Sequence, residues 1–204
     1  MNERYILELV CYSPKVYSGL DRMFVFLTKL LREQNITPIF VYGETMQYCP
    51  KIKQDLQTTG AVVLTMPEKG HKAQYNALLA IFKQYHPIVV DVHFENYIKA
   101  VSVLLSKRYK ARHFTHIHSL IADSPTEYRA EKGLIKCLML SLFYNLLYKN
   151  SEKVLCVSQA IETQLRCWIN DTSGRIQTLY LGTDLTPSDF SEEIVRNRLK
   201  LNLS

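Results

Sequence analysis

The amino-acid sequence predicts an α/β fold: a single Rossmann-like domain with a mostly parallel sheet of about seven strands and helices on both faces. Three observations lead there. Short runs that are apolar throughout, such as PIVVDVHF and KVLCV, alternate with longer segments of helical periodicity. Strands apolar on both sides need cover on both faces, and parallel sheets with crossover helices provide it. A chain of 204 residues that is 47% hydrophobic and 22% charged has the composition of a globular domain of that kind.

Each element follows from its pattern. Residues 4–10 read as the first strand, which runs through a polar loop to Gly19. Leu20, Met23, Phe24, Leu27, Leu30 and Leu31 then recur at helical spacing, with Arg22, Lys29, Arg32 and Glu33 opposite. Residues 38–43 and 61–67 are β-rich runs, with a shorter helix expected over 48–58 between them. Tyr75, Leu78, Leu79 and Phe82 mark a helix over His71–Tyr85. Residues 87–94 form a continuous apolar strand that ends in polar groups, and Ile98, Val101, Leu104 and Leu105 mark the helix after it. Residues 112–118 are a strand, followed by a loop through Pro125 and one long helix over about 126–149. The strand at 153–157 runs into Ser158, placed to cap the next helix. Residues 176–181 are the last strand.

Charge and cysteine usage narrow the class. A formal net charge of +6 favours acidic partners: phosphates, nucleic acid or an anionic membrane surface. Lys107, Arg108, Lys110 and Arg112 cluster around Tyr109, but at a helix C-terminus, where cations complement the helix dipole. No nucleic-acid partner is therefore expected. The five cysteines (Cys11, Cys49, Cys137, Cys156, Cys167) form no Cys-x-x-Cys pair, which suits a reducing, cytoplasmic setting. MNERYILELV lacks the basic and long apolar regions of a secretory leader. The greasiest stretch, 134–148, carries Lys136 and is short for a bilayer span. It reads as a buried helix or as one lying against a membrane, where Lys132, Lys136 and Lys149 would suit peripheral contact with anionic lipid at the inner face.

Right-handed crossovers bring all strand-to-helix turns to one edge of such a sheet, where ligands bind near the switch in strand order. Ser18 and Gly19, His93, His118, Ser158 and the turn Gly182–Thr183–Asp184 all follow strands and are expected there. Gly19 precedes a helix, where backbone amides attract a phosphate. His93 and His118 are candidates for a metal pair, but no third ligand is evident, so no metal is expected.

With these residues in place, the chain resembles the N-terminal domain of the family-4-type glycosyltransferases, enzymes of the two-Rossmann GT-B architecture. The family's Gly-Gly-apolar-Glu turn is matched by Ser18-Gly19-Leu20-Asp21 and its Val-His-x-His-like strand end by Asp91-Val92-His93. A histidine with a small polar neighbour is matched by His118-Ser119, the strand end V-S by Val157-Ser158, and N-G-hydrophobic-D by Leu181-Gly182-Thr183-Asp184. Ser18 stands in place of a glycine, Asp91 of a histidine and Leu181 of an asparagine.

The resemblance implies a retaining transfer of a sugar from a nucleotide-diphosphate sugar to an acceptor hydroxyl, in polysaccharide or glycolipid synthesis, with no cofactor and no metal. It implies that Gly19, with Ser18, approaches the donor diphosphate and that His118 lies beside the transferred sugar. Asp21, His93, Ser119, Ser158, Gly182 and Asp184 would line the side that takes a sugar or lipid-linked acceptor. Residues 1–186 are expected to form the N-terminal domain. Residues 187–204, PSDFSEEIVRNRLKLNLS, are expected to be a helical link to a C-terminal donor-binding domain absent from this chain. Such a chain is expected to be inactive alone. The alternative is a stand-alone, non-catalytic binding module that pairs with a separate donor-binding chain.

Overall fold

A computed structural model of the chain describes residues 3–14, 16–44, 49–119 and 124–180. Strands and helices alternate through them: β1 (Arg4–Leu9), α1 (Gly19–Glu33), β2 (Ile36–Gly43), α2 (Pro50–Thr58), β3 (Val62–Met66), α3 (His71–Tyr85) and β4 (Val89–Val92). The second half comprises α4 (Asn96–Tyr109), β5 (Arg112–Ile117), α5 (Pro125–Lys132), α6 (Leu134–Asn150), β6 (Lys153–Cys156), α7 (Gln159–Trp168) and β7 (Ile176–Thr178). The seven strands form one sheet in the order β3-β2-β1-β4-β5-β6-β7, every neighbouring pair parallel. The predicted fold class is what the chain adopts. Strand order reverses between β1 and β4, so the crevice expected to take ligands lies at their carboxyl ends.

The two faces of the sheet are covered unequally. Alternate residues of β1, β2 and β4 (Leu7, Leu9, Ile39, Val41, Val90, Val92) pack against Leu78, Phe82, Ile98, Val101 and Leu105 of α3 and α4. Farther along the same side, Val154, Cys156 and Ile176 pack with α6 and α7 through Leu140, Tyr144, Leu147, Leu165 and Trp168. On the opposite side α1 and α2 cover β1 and β2, through Phe24, Ile52 and Leu56 against Val10, Phe40 and Tyr42. That side of β4 to β7 has no packed helix among the described residues, which leaves a hollow beside α1.

The single long helix expected over 126–149 is two helices. Gly133, at φ +88°, breaks it. An added Cβ there would meet nothing within 4 Å, so it is the left-handed backbone, and not crowding, that calls for glycine. The separated α6 buries Cys137, Leu140, Tyr144 and Leu147, yet its other face exposes Leu134, Ile135, Leu138, Met139 and Leu142. No helix among the described residues is long and apolar enough to cross a membrane. The expected link over 187–204, like Gly182 and Asp184, lies outside the described residues.

Candidate functional site

Parallel register assembles a polar cluster in the middle of the sheet. Glu8 of β1 pairs with Asp91 of β4, and Asp91 pairs with Phe114 of β5. Side chains two apart share a face, so Glu8, Asp91, His93, His116 and His118 all project to the side of α1. Glu8, Asp91, His93 and His116 form the floor of a cleft of about 350 Å³ together with Leu155, and His118 adjoins it through His93. Met23, Phe24, Phe26, Leu27 and Leu30 of α1 wall it, and Leu179 and Tyr180 stand at the far rim.

The cluster is buried and almost wholly hydrogen-bonded. His93 Nδ1 lies 3.2 Å from His118 Nε2, and His93 Nε2 lies 3.4 Å from Glu8 Oε2. His116 Nε2 lies 2.9 Å from Asp91 Oδ2. The His93 and His116 rings stack with centroids 4.4 Å apart, and Phe94 stacks on His118 at 4.1 Å. Two buried atoms, Asp91 Oδ1 and His116 Nδ1, have no hydrogen-bond partner among the described residues.

Burial sets the charges. It pushes the Glu8 carboxyl well above its usual range, and the nearby Asp91 charge adds to this. It also pulls His93 down to about 3, against the attraction of Asp91, and His118 down to about 4, helped by His116 and Lys99. Glu8 and His93 therefore meet as neutral hydrogen-bonding groups and not as an ion pair. Burial works against the charged form of Asp91 too, but the charge and hydrogen bond of His116 outweigh it and hold that carboxyl below its ordinary value. The result is one carboxylate, one carboxylic acid and a neutral imidazole, His118, at the mouth of a hydrogen-bonded chain Glu8–His93–His118.

Of the residues singled out in the sequence, His93 and His118 are brought into direct contact. Ser18 and Gly19 open α1, which Ser18 caps. Its amide donates to Asp21 Oδ2 at 2.8 Å and its hydroxyl accepts from the Asp21 amide at 3.4 Å, a capping box. Asp21 is fully buried and its second oxygen accepts from Tyr12 Oη. The Asp21 carboxylate is thus bonded to the start of α1 and to Tyr12, and it is not among the residues that line the cleft. Ser158 caps α7, its hydroxyl accepting from the Ile161 amide at 3.3 Å. Ser119 is exposed just past β5, beside the end of β6, where Val157 N donates to Ile117 O. A contact path from Asp21 through Tyr12 and Phe94 reaches His118, so the α1 cap and the histidines belong to one rim.

Glu8 and His116 were not singled out, and Asp91 only as a departure from a pattern. The signals were present: a carboxylate inside RYILELV and another inside PIVVDVHF each sit in strands apolar on both faces, where an ionisable group needs a partner. His116 also shares the face of His118 by period two. The third imidazole thought missing beside His93 and His118 is therefore His116.

Comparison with known proteins bears on the family and the fold. The family model described as Glycosyltransferase Family 4 matches residues 17–187. No curated protein sequence matches. Among solved structures, Anabaena Alr3699/HepE in complex with UDP and glucose is similar over 97% of this chain and 50% of its own, with TM-score 0.60 and 16% identity. Acinetobacter baumannii MurG is similar over 91% and 47%, with TM-score 0.51 and 8% identity. The UDP-GlcNAc 2-epimerase of Methanocaldococcus jannaschii is similar over 87% and 45%, with TM-score 0.52 and 13% identity. At these identities the likeness is one of fold. The chain spans about half the length of the structures it matches. With the family model spanning most of its length, from the start of α1 past the end of β7, the chain belongs to glycosyltransferase family 4.

Proposed function

We propose that this chain forms the acceptor side of the cleft of a retaining glycosyltransferase, which moves a sugar from a nucleotide-diphosphate sugar to an acceptor hydroxyl in polysaccharide or glycolipid synthesis. The observation that carries this reading is the chain Glu8–His93–His118 at the carboxyl edge, on the rim it shares with the start of α1. His118, neutral at physiological pH because burial depresses its pKa to about 4, hydrogen-bonds a sugar hydroxyl and needs no counter-ion. His93 and Glu8 hold its ring in place. The Gly19 amide, one of the first in α1 and without a partner inside the helix, points a positive dipole end at the donor diphosphate. The donor nucleotide is held by a second lobe, and this chain alone is inactive. HepE and MurG, at about twice the length, are the fold's precedents for such a second half. No cofactor or metal takes part in the transfer. The alternative, a non-catalytic module that pairs with a separate donor-binding chain, uses the same cleft and differs only in where the second lobe is encoded. A mass measurement of the natural polypeptide separates the two.

The test is His118→Ala in the protein that carries transfer activity, found by screening nucleotide-sugars. Its kcat is expected to fall by about 100-fold or more, as when a positioned donor to the reacting sugar is removed, with the donor KM little changed. An unchanged kcat would remove His118 from the reaction.

A second observation supports peripheral membrane contact. The exposed face of α6 presents Leu134, Ile135, Leu138, Met139 and Leu142 between Lys132 and Lys149. An apolar helical face flanked by cations suits the surface of an anionic bilayer, where a lipid-linked acceptor would be met from the cytoplasmic side.

A further inference from the structure

We propose that the cavity between the start of α4 and the first half of α6 binds a phosphate group carried on an apolar chain, as in the headgroup of an acidic phospholipid. The cavity measures about 270 Å³ and is lined by Asn96, Tyr128, Lys136, Met139, Leu140 and Phe143. It lies on the side of the sheet that α4 and α6 cover, away from the cleft beside α1. The proposal deepens the membrane-contact reading of α6 and rests on it for the lipid that brings the phosphate.

A lysine is almost never fully buried without a partner. Yet Lys99 of α4 is 3% exposed, and its Nζ makes no hydrogen bond or ion pair among the described residues. Burial pulls its pKa down to about 8, against the attraction of Glu95. Position on the helix aims the side chain. Asn96, which lines the cavity, stands three residues before Lys99. Val103, which packs with Leu140 and Tyr144 of α6, stands four residues after it. Residues at these spacings share one helix face. A helical side chain leans back towards the N-terminus of its own helix. Lys99 therefore runs along the seam between α4 and α6 towards Asn96 and the cavity.

The start of α4 adds donors at the same place. Lys99 N donates to Glu95 O, the first bond of the helix. The amides of Asn96, Tyr97 and Ile98 come before it and have no acceptor inside the helix. Glu95, at the N-cap, gives them no side-chain bond, and no acidic residue stands in the first turn. Free amides at the positive end of a helix dipole suit a phosphate, and a phosphate has three terminal oxygens to share among amides and ammonium groups. Lys136 stands on the α6 wall, and no carboxylate is among the lining residues. The rest of the lining is apolar: Met139, Leu140 and Phe143 lead onto the exposed face of α6, where Leu138 and Leu142 continue it. A ligand that fits both parts has an anionic head and a hydrocarbon tail.

The experiment is isothermal titration of the chain with dihexanoyl phosphatidic acid below its micelle concentration, with inorganic phosphate and hexanoate as separate probes. No bilayer is present, so the outcome is independent of vesicle binding and of sugar transfer. One phosphatidic acid per chain is expected, bound at least about ten-fold more tightly than inorganic phosphate, as burial of a few methylenes provides. Lys99→Gln is expected to weaken it by about 10–100-fold, the loss of a charged hydrogen bond. Lys136→Gln, at an exposed position, is expected to weaken it by about five-fold and decides the matter if Lys99→Gln does not fold. Lys107→Gln, in the last turn of α4, is expected to change nothing. No binding of phosphatidic acid overturns the proposal, as does a folded Lys99→Gln variant or a Lys136→Gln variant that binds as tightly as wild type. Inorganic phosphate binding as tightly as the lipid overturns the apolar chain, and hexanoate binding as tightly overturns the phosphate.

Discussion

Asp21 and Glu8 both carry carboxyl groups on the side of the sheet where a ligand would enter, and their partners give them different work. Asp21 closes the first turn of α1, accepting from the Ser18 amide at 2.8 Å and from Tyr12 Oη at 3.4 Å. Asp21→Ala is expected to lower unfolding free energy by about 1–2 kcal/mol, as loss of a helix cap does. Urea denaturation would show this, while a stability equal to wild type would mean that Asp21 is not needed for the cap. The sequence placed Asp21 next to a helix start but did not tell whether its side chain faced in or out, because the capping box depends on the rotamer and on Tyr12 from another loop. Glu8 was less legible still. A lone acid in an apolar strand has no local signature of its partner, since His93 is 85 residues away and meets it only through the β1–β4 pairing. His93 and His118 could be read as strand-end groups from short-range pattern alone, and their contact then followed from parallel topology.

At the scale of elements, periodicity located nearly every helix and strand, and the errors fell at breaks. The division of 126–149 at Gly133 depends on one left-handed residue inside an otherwise helical run. The exposed face of the resulting α6 carries its own prediction. A variant with Ile135, Leu138 and Leu142 all changed to serine should bind anionic vesicles at least about ten-fold more weakly than wild type in co-sedimentation, since binding scales with the apolar area inserted. Wild-type binding that depends on neither anionic lipid nor these residues would remove the membrane contact.

The loop between α7 and β7 makes a second prediction. Burial disfavours the charge on Asp171, but the Tyr148 hydroxyl at 2.7 Å and the amides of Ser173, Arg175 and Ile176 more than compensate. Its folded-state pKa is therefore depressed. The stabilisation is present in full above the unfolded pKa, about 3.9, and is lost as pH falls through the lower folded value. Asp171→Asn should cost about 2–3 kcal/mol at neutral pH, the scale of several charged hydrogen bonds. The difference in urea midpoint should shrink below about pH 4. A difference that does not change with pH would contradict this account.

For the whole molecule, the strand order β3-β2-β1-β4-β5-β6-β7 sets the site at the β1/β4 reversal, and the uneven cover of the sheet leaves the cleft beside α1. Alternation of apolar runs with amphipathic helices made the parallel sheet readable. The cleft was not, because among the described residues no helix covers β4 to β7 on one side, and a linear pattern does not record which face a crossover takes. The chain spans about half the length of the structures it matches, and we propose that a donor-binding lobe completes the reaction. The most direct measurement supplies a panel of nucleotide-diphosphate sugars and acceptors to this 204-residue chain, alone and with such a lobe present, and detects the glycosylated product. No transfer by the chain alone and transfer once the lobe is supplied is the predicted result; turnover by the chain alone would contradict it.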